Sequence, residues 1–407
     1  MAVLHHPGTT YWLLVAAIFL LPFGTLYQLP MAVLALVGAT LWLRGRFDWQ
    51  QTAALRWLTI AFALLMLPLL LALLTAYDPQ RTGLTLLRLS AYWLAGLAII
   101  HLAVHHPRQL PERPLLLAVA AIITFWAVDA YWQLFTGRNL FGQGPGPGEL
   151  AQVTGIFHPN FRIGLIFAHL SLFFLEGVRH LARRHPVAWL LLLPYLSVIA
   201  ANGTRTAWIV TALSLLLWSL WLALLLRSRN APSPLARRLI LATPLLLLAA
   251  AFPFIVHPAI RSRLSDLESS RIRLEIWQAV WNLLPDYWVT GIGSHGAGHL
   301  AAQAAGLTEP FFSHPHLYAL DVLISTGVVG VAAYLLLWLL GIRLYLRLPT
   351  TTRRAVTPYW IATALILFPL SPHWGFYGNL SVHLASWIGC LTLALTARQL
   401  NDRGGGG

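Results

Sequence analysis

Long apolar runs separated by short polar connections repeat along nearly the whole chain. Many runs reach about 18 residues, which is enough for a helix to cross the roughly 30 Å hydrocarbon layer of a membrane. Because lipid offers no hydrogen-bond partner to backbone groups, such runs must form helices rather than open strands. We count about twelve spans, at positions 11–28, 29–43, 57–76, 83–104, 115–136, 163–178, 187–203, 206–226, 239–256, 317–342, 357–373 and 380–397. The pattern predicts an all-α, polytopic integral membrane protein.

Composition supports this fold class and gives an orientation. The chain of 407 residues is 58% hydrophobic and 10% charged, whereas about 25% charged residues is usual in a soluble domain. Its net charge of +14 comes from arginine alone, and the arginines follow the even-numbered spans, which predicts that both termini are cytoplasmic. Nucleic-acid binding would need a soluble basic domain, and the hydropathy pattern predicts none, so we do not expect nucleic acid as a partner. The first span lacks a small-residue cleavage site and is interpreted as a retained helix.

Two connections on the opposite side of the membrane, which in a bacterium is the periplasmic side, are long. The first, 137–160, is rich in glycine and proline and predicts an irregular loop. The second lies between the ninth and tenth spans, so the predicted division is spans one to nine at 1–256, a periplasmic loop at 257–316, three further spans at 317–403, and an added linker at 404–407. Within the long loop, apolar residues recur at helical spacing from Arg271 to Leu284, and Pro285 is expected to end the element. We expect an amphipathic helix on the outer membrane surface, anchored there by tryptophan.

Arginines on the periplasmic side are candidates for binding an anion. Arg205 is the only Asp, Glu, Lys or Arg between Arg184 and Arg227. Placing an unpaired guanidinium at a membrane costs a few kcal/mol, which a lipid-linked phosphate would offset because its oxygens match the planar guanidinium fork. The alternative is that the Arg205 side chain only extends to the membrane–water interface and binds no ligand. Arg271 and Arg273 in the long loop favour an anion site.

His316 lies where the long loop meets the tenth span and is a candidate general base. Its imidazole titrates near neutral pH and can accept a proton from an attacking hydroxyl. His314 is the fallback for this role, and Asp321 is a possible partner for orienting an imidazole. The alternative is that both histidines only begin a helix.

A metal site is not expected. His295 and His299 are four positions apart and could share a helix face, but the intervening Gly296 and Gly298 argue against a helix, and no HExxH, Asp-x-Asp or carboxylate cluster accompanies them. Cys390, the only cysteine, lies in the last apolar run, which excludes a disulfide and a thiolate metal site. We expect no cofactor.

Four short motifs together resemble the O-antigen ligase family. The segment His316-Leu317-Tyr318, followed by Gly327 and Gly330, has the spacing of the family's histidine motif, although Leu317 replaces the usual small polar residue. The other three similar elements are Thr204-Arg205-Thr206-Ala207; Arg273 with Trp277, Pro285 and Gly291-Ile292-Gly293; and Gly155-Ile156-Phe157-His158-Pro159-Asn160. They occur in the family's order, from about 150 to 330.

The resemblance implies a GT-C-like, metal-independent, inverting glycosyltransferase of the bacterial inner membrane. Such ligases move O-antigen polysaccharide from undecaprenyl pyrophosphate to lipid A–core and thereby complete lipopolysaccharide. By resemblance, Arg205 and Arg273 hold the pyrophosphate and His316 activates the acceptor hydroxyl in an active site facing the periplasm. The further substrate-binding residues expected are Arg271, His314, Asn160 and Trp277.

Three other functions remain open. An O-antigen polymerase and a protein O-oligosaccharyltransferase use the same kind of donor, although the second usually has a longer C-terminal portion. A twelve-helix secondary transporter is the alternative of a different class. Its two halves would place the long connection after the sixth span, whereas here it follows the ninth.

Overall fold

A computed structural model describes residues 8–50, 52–145, 153–160, 162–227, 268–304, 306, 312, 314–371 and 374–404. Within these ranges the regular elements are helices, and no strand is present. The predicted ninth span, 239–256, and the start of the long loop, 257–267, lie outside the described residues, as do 405–407 of the predicted linker.

The α-helices of the described ranges are labelled in chain order. They are α1 Thr9–Phe19, α2 Gln28–Leu43, α3 Ala53–Ala72, α4 Pro79–His105, α5 Glu112–Thr136, α6 Ile163–Ala182, α7 Leu192–Ala201, α8 Arg205–Arg227, α9 Glu268–Tyr287, α10 Ala297–Ala304, α11 Tyr318–Arg347, α12 Thr350–Ile366 and α13 Asn379–Gly404. Short 3-10 helices occupy Pro107–Gln109, Gly155–Phe157 and Pro186–Leu191.

Seven helices of the described ranges are long and apolar enough to cross a membrane. They are Ala53–Ala72, Pro79–His105, Pro107–Thr136, Ile163–Ala182, Arg205–Leu225, Tyr318–Arg347 and Asn379–Asp402. Three shorter apolar helices, at Thr9–Phe19, Gln28–Leu43 and Pro186–Ala201, overlap the first, second and seventh predicted spans, although the first helix ends well before the predicted residue 28. The chain is therefore an all-α polytopic membrane protein. The eleventh predicted span is displaced, because α12 begins at Thr350 and ends at Ile366, earlier than the predicted 357–373.

The chain divides into two compact units, each built from separate stretches of sequence. The first comprises Met1–Leu29, Arg108–Asp266 and Arg354–Leu365. The second comprises Pro30–Pro107, Leu267–Arg353 and Ile366–Gly407.

The core of the first unit is formed by α5, α6, α7 and α8. The rings of Trp126 and Tyr195 lie on either side of Phe167 in a stacked series, with centroid separations of 6.5 and 5.5 Å. Gly177 allows α6 to approach α5, since a Cβ there would lie 2.4 Å from the Leu116 carbonyl oxygen. The Glu176 carboxylate pairs with the Arg179 guanidinium and accepts a hydrogen bond from Trp218 Nε1 at 2.7 Å. This buried charge is thereby neutralised inside the unit.

The core of the second unit is formed by α3, α4, α11 and α13. Gly96 of α4 lies against α13, where an added Cβ would be 2.6 Å from Cys390 Sγ. Cys390 is buried. This position agrees with the core-packing role that its apolar surroundings suggest.

Helix α9 differs from its prediction in what covers its apolar side. The helix is present but longer, running from Glu268 to Tyr287 and continuing past Pro285. The residues that share its buried side are Ile276, Val280 and Leu284, and they pack against Ala297 and Ala301 of α10 and Leu320 and Ile324 of α11. Trp281 is 65% exposed. The predicted apolar stripe thus largely packs on protein rather than on lipid.

Candidate functional site

Two of the motif segments pair through their backbones in the second unit. The segment at 288–293, which contains the Gly-Ile-Gly motif, runs beside α11. Ile292 N–H donates to the Ile324 carbonyl at 2.9 Å, and Gly293 N–H donates to the Ser325 carbonyl at 3.0 Å. In the opposite direction, Val328 N–H donates to the Trp288 carbonyl at 2.8 Å. The loop is therefore joined to the N-terminal half of a membrane helix by main-chain hydrogen bonds.

Glycines of both motifs make this pairing possible. Gly327 interrupts α11 with φ 63° and ψ −165°, a combination that essentially only glycine adopts. A Cβ on Gly327 would lie 2.1 Å from the Val289 carbonyl oxygen, and one on Gly291 would lie 2.4 Å from the Ser325 carbonyl carbon. The break at Gly327 releases α11 backbone groups, and the absence of side chains lets the loop reach them.

His316 and His295 adopt left-handed backbone conformations, with φ 53° and 66°. Among the described residues, no other non-glycine residue has a positive φ. Such conformations cost about 1–3 kcal/mol each and concentrate at functional sites. The strain therefore marks two histidines of the second unit, of which the sequence had singled out only His316 as the catalytic candidate.

The segment that carries His314 and His316 is held from two sides. The two imidazole rings lie 4.2 Å apart between centroids, with an interplanar angle of 54°. Between them, the Pro315 carbonyl accepts a hydrogen bond from Trp277 Nε1 at 2.8 Å. On another side, Gly375 approaches His314 so closely that an added Cβ would lie 3.1 Å from the histidine Cβ. Trp277 thus connects α9 directly to the histidine segment.

Arg273 and Arg271 differ in their surroundings, although both lie on α9. Arg273 precedes Trp277 by one helical turn and is partly buried. Arg271 is exposed, and its Nε forms an ion pair with Glu275 Oε1 at 3.1 Å. Of the two predicted anion-binding residues, Arg273 is the one next to the connection with the histidine segment.

Asp321 is buried at the start of α11 and interacts with the loop before α13. Its carboxylate accepts a hydrogen bond from Phe376 N–H at 2.6 Å and further ones from Tyr377 N–H and the Ser325 hydroxyl. His295 is close enough to Asp321 for an electrostatic interaction between them. The predicted imidazole partner therefore interacts electrostatically with His295, and it also fixes the loop beside His314.

Burial lowers the pKa of the His295 imidazole below its usual 6.5. The Asp321 carboxylate acts in the opposite direction. The other charges acting on this ring are cationic and lower its pKa further; they come from Arg81, Arg88 and His314. His295 is consequently neutral at physiological pH and able to accept or donate a hydrogen bond.

His299 occupies a different environment from His295. Contrary to the expectation from Gly296 and Gly298, a helix does form at Ala297–Ala304, because Gly296 precedes it and Gly298 is tolerated in its first turn. His299 lies in that helix and stacks on Tyr77 at 5.9 Å, with an interplanar angle of 13°, whereas His295 lies outside it. Within the described ranges, no three His, Cys, Asp or Glu residues are grouped as metal ligands.

The other two motifs meet in the first unit around the buried Asn202. Its Nδ2 donates to the Val153 carbonyl at 3.0 Å, and its Oδ1 accepts from Thr204 Oγ1 at 2.7 Å. Gly164 lies against the same amide, since an added Cβ would be 2.3 Å from Asn202 Oδ1. Arg205 follows as the partly buried first residue of α8. Asn202 thus connects the arginine motif with the loop that carries the Pro-Asn motif.

Asn160, the predicted substrate-binding residue of the Pro-Asn motif, is exposed. Its N–H donates to the Phe157 carbonyl at 2.7 Å, and the preceding His158–Pro159 bond is cis. Gln133 of α5 supports the loop, since its Oε1 accepts from the N–H groups of Thr154 and Gly155, both at 2.9 Å. The loop is therefore held by the helix before it.

A family model described as O-antigen ligase matches residues 187–335. The resemblance to this family is thereby confirmed. The matched range contains Arg205, Arg273 and His316 together with both pairs of motif glycines, whereas Asn160 precedes it. No curated protein matches the chain.

The O-antigen ligase match supports a glycosyltransferase-like enzyme at a coarse level. The chain carries a glycosyltransferase-like domain of the O-antigen ligase or polymerase type, in a multi-pass membrane protein of lipopolysaccharide biosynthesis. The match covers less than half of the chain, and the loop paired with α11 lies inside it.

Two features near this ligase-type domain were not predicted from the sequence. They are the strained backbone of His295 and the position of Arg88 in α4. Arg88 lies within a predicted membrane span, where an ionisable residue indicates function by default. The rule that singled out Arg205 would have found it. The strain at His295 has no comparable signal, because the residue type does not specify φ.

Proposed function

We propose that the protein transfers O-antigen polysaccharide from undecaprenyl pyrophosphate to lipid A–core, as a metal-independent, inverting glycosyltransferase of the bacterial inner membrane. The active site faces the periplasm and both termini are cytoplasmic. The observation that carries the proposal is the conformation and position of His316. Its backbone is left-handed, and the preceding Pro315 carbonyl accepts a hydrogen bond from Trp277 Nε1 at 2.8 Å.

His316 acts as the general base in this proposal. Its imidazole takes the proton from a hydroxyl of the lipid A–core sugar, and the resulting oxygen attacks the anomeric carbon of the donor. The bond between that carbon and the diphosphate oxygen breaks, and its electron pair leaves with undecaprenyl pyrophosphate. Because attack occurs opposite the leaving group, the anomeric configuration inverts.

Arg273 stabilises the negative charge that develops on the diphosphate. A guanidinium offers paired N–H donors that match phosphate oxygens, and its effect is greatest where water is partly excluded. The position of Arg273 one turn from Trp277 supports this role. The equivalent role of Arg205 is supported by the sequence resemblance and by its place at a helix N-terminus, which favours anions.

The remaining substrate-binding assignments follow from residue type and position. His314, whose ring contacts His316, and Trp277 border the acceptor hydroxyl. Arg271 and Asn160 are exposed, and we assign them to outer parts of the glycan. Since the arginines supply the positive charge, the reaction needs no divalent cation.

The test of this function is reconstitution in liposomes with lipid-linked O-antigen and purified lipid A–core, with and without EDTA. The proposal predicts transfer to lipid A–core at the same rate in both conditions. Loss of transfer on chelation, restored by added Mg²⁺ or Zn²⁺, would contradict metal independence.

A polymerase is the second candidate, because the matched family model is of a type shared by both activities. The same reconstitution distinguishes them when lipid A–core is left out. Elongation of the lipid-linked glycan without an acceptor would indicate a polymerase and contradict the ligase assignment.

A further inference from the structure

Arg88 lies well inside the membrane-spanning helix α4, which covers Pro79–His105. It is about 13 Å along the helix axis from Pro79, at roughly 1.5 Å per residue. Two polar residues flank it at helical spacing, Thr85 one turn before and Tyr92 one turn after, so the three share one side of the helix. This side of α4 is polar, although the helix as a whole is long and apolar enough to cross a membrane.

The two neighbours of Arg88 on this side have hydrogen-bond partners inside the second unit. Thr85 Oγ1 lies 3.1 Å from Ser294 Oγ, and Tyr92 Oη lies 2.8 Å from His383 Nδ1. Arg88 differs, because its Nη1 is buried without a hydrogen-bond partner in the described part of the chain. The ion pairs found there do not include Arg88 either.

A buried guanidinium nitrogen without an acceptor is costly. An unsatisfied buried polar group costs about 1–3 kcal/mol, and more when it carries charge. A long side chain usually avoids this cost by extending to the membrane surface. Nη1 of Arg88 is buried and does not reach water in this way, although the residue as a whole is partly exposed. Its position is explained if an anionic ligand supplies the missing acceptor.

The surroundings of Arg88 connect it with the strained histidines. The segment at 291–296 packs on α4, where Gly293 approaches Thr82 so closely that an added Cβ would be 2.4 Å from its hydroxyl oxygen. Within the same segment, His295 is near enough to both Arg88 and Arg81 to be affected by their charges, but of the two arginines only Arg88 has a buried nitrogen without a hydrogen-bond partner among the described residues. Arg88 therefore lies beside the loop that pairs with α11 in the ligase-type domain.

We propose that Arg88, whose side chain is partly exposed, binds a phosphate oxygen of the lipid-linked glycan donor through its guanidinium group. This inference rests on the proposed function for the identity of the ligand. A lipid diphosphate fits the site because its headgroup is anionic and its chain stays in the bilayer. Arg273 supplies positive charge to the donor from the long loop. Arg88 adds a second positive charge from the membrane-spanning part of the second unit.

The experiment measures binding of undecaprenyl pyrophosphate to the purified full-length chain in phosphatidylcholine nanodiscs. Arg88→Gln and Arg88→Met should each weaken binding about tenfold or more, which corresponds to about 1.4 kcal/mol. Arg88→Lys should recover only part of the affinity, since a point charge does not reproduce the guanidinium fork. Wild-type affinity in Arg88→Gln and Arg88→Met would overturn the proposal.

Arg81→Gln is the matched control. Arg81 lies two turns earlier on α4, but its side chain is 57% exposed and pairs with Asp78 Oδ2 at 3.2 Å. Its substitution should change the affinity by less than about twofold, as expected for an exposed ion pair. An equal loss in Arg81→Gln and Arg88→Gln would indicate a general effect of charge and overturn the specific role of Arg88.

Two further measurements identify which lipid supplies the phosphate and check that the variants are folded. The first measurement uses nanodiscs that contain phosphatidylglycerol. If Arg88→Gln lost binding of phosphatidylglycerol but kept binding of undecaprenyl pyrophosphate, the site would belong to an ordinary anionic lipid and the proposal would be overturned. Thermal unfolding without ligand should be unchanged or raised in Arg88→Met, because an unpaired charge has been removed. Since binding is measured without transfer, failure of the ligase activity would leave this result intact.

Discussion

His316 and His295 combine a titratable side chain with a strained backbone, and the strain has to be offset by contacts around them. For His316 the contact is the hydrogen bond from Trp277 to Pro315. For His295 it is the pairing of the preceding loop with α11 and of Ser294 with Thr85. Both histidines are therefore positioned by neighbouring backbone rather than by local preference.

His295 should make the stability of the protein dependent on pH. Its folded-state pKa lies below the usual 6.5, so the unfolded chain binds a proton more readily than the folded chain. The free energy of unfolding should consequently fall as the pH falls below about 6.5. His295→Asn removes the titrating group, and asparagine tolerates a positive φ.

Thermal unfolding of both proteins from about pH 7.5 to about pH 5 checks this prediction. The difference in melting temperature between wild type and His295→Asn should change with pH, because acidification should lower the melting temperature of the variant less than that of the wild type. A constant difference across this range would mean that His295 has the same pKa in both states.

Arg273 should depend on its guanidinium shape more strongly than Arg271. Arg273→Lys is expected to lower kcat/KM for transfer about tenfold or more, since lysine cannot form the paired hydrogen bonds to a diphosphate. Arg271→Lys should have a clearly smaller effect, because its side chain is 80% exposed and already paired. Steady-state transfer rates test the pair, and equal effects would contradict the distinction.

Residue types alone predicted candidates for the catalytic and anion-binding roles. Arg205 and His316 were recognisable because a charge or a titratable ring next to a long apolar run is costly. Arg88 carried the same signal within a predicted span. The opposing surroundings of Arg271 and Arg273 were not recognisable, since positions two apart on a helix face different directions and the sequence does not show which direction is covered.

At the scale of elements, the break in α11 is the feature on which the site geometry depends. Gly327→Ala should destabilise the protein by about 3 kcal/mol or more, because its backbone conformation is restricted to glycine and the added Cβ would meet the Val289 carbonyl at 2.1 Å. The loss should appear as a lowered melting temperature and as loss of transfer in whatever fraction remains folded.

Gly389 in α13 provides the matched control for this substitution. An added Cβ there meets nothing within 4 Å, so Gly389→Ala should be neutral or stabilise the helix by up to about 1 kcal/mol. If Gly327→Ala melted at the same temperature as Gly389→Ala, the paired loop would not hold α11 in this way.

The sequence predicted the helix α9 but not its neighbour. Spacing of Ile276, Val280 and Leu284 identified one apolar side, and that side is buried as expected. Periodicity does not say whether lipid or protein covers it, and here α10 and α11 do so. The pairing of 288–293 with α11 was equally out of reach, because glycine motifs indicate close approach without naming the partner.

At the scale of the whole molecule, the membrane fold was largely predictable. Length and hydropathy decide whether a helix can span a bilayer, and seven long helices of the described ranges meet that condition. The displaced boundary of α12 arose because Thr350–Thr357 is polar and was counted as loop. The grouping of distant stretches into two units depends on helix packing, which hydropathy does not encode.

The proposed mechanism depends most directly on His316 as the proton acceptor, and His316→Asn tests this role. Asparagine tolerates the left-handed backbone but cannot act as a base near neutral pH. In the reconstituted assay, this variant should keep the wild-type melting temperature and lose about 10²-fold or more in transfer rate, whereas His299→Ala, on the neighbouring helix α10, should retain transfer. A folded His316→Asn protein that transfers the glycan at the wild-type rate would contradict the central claim.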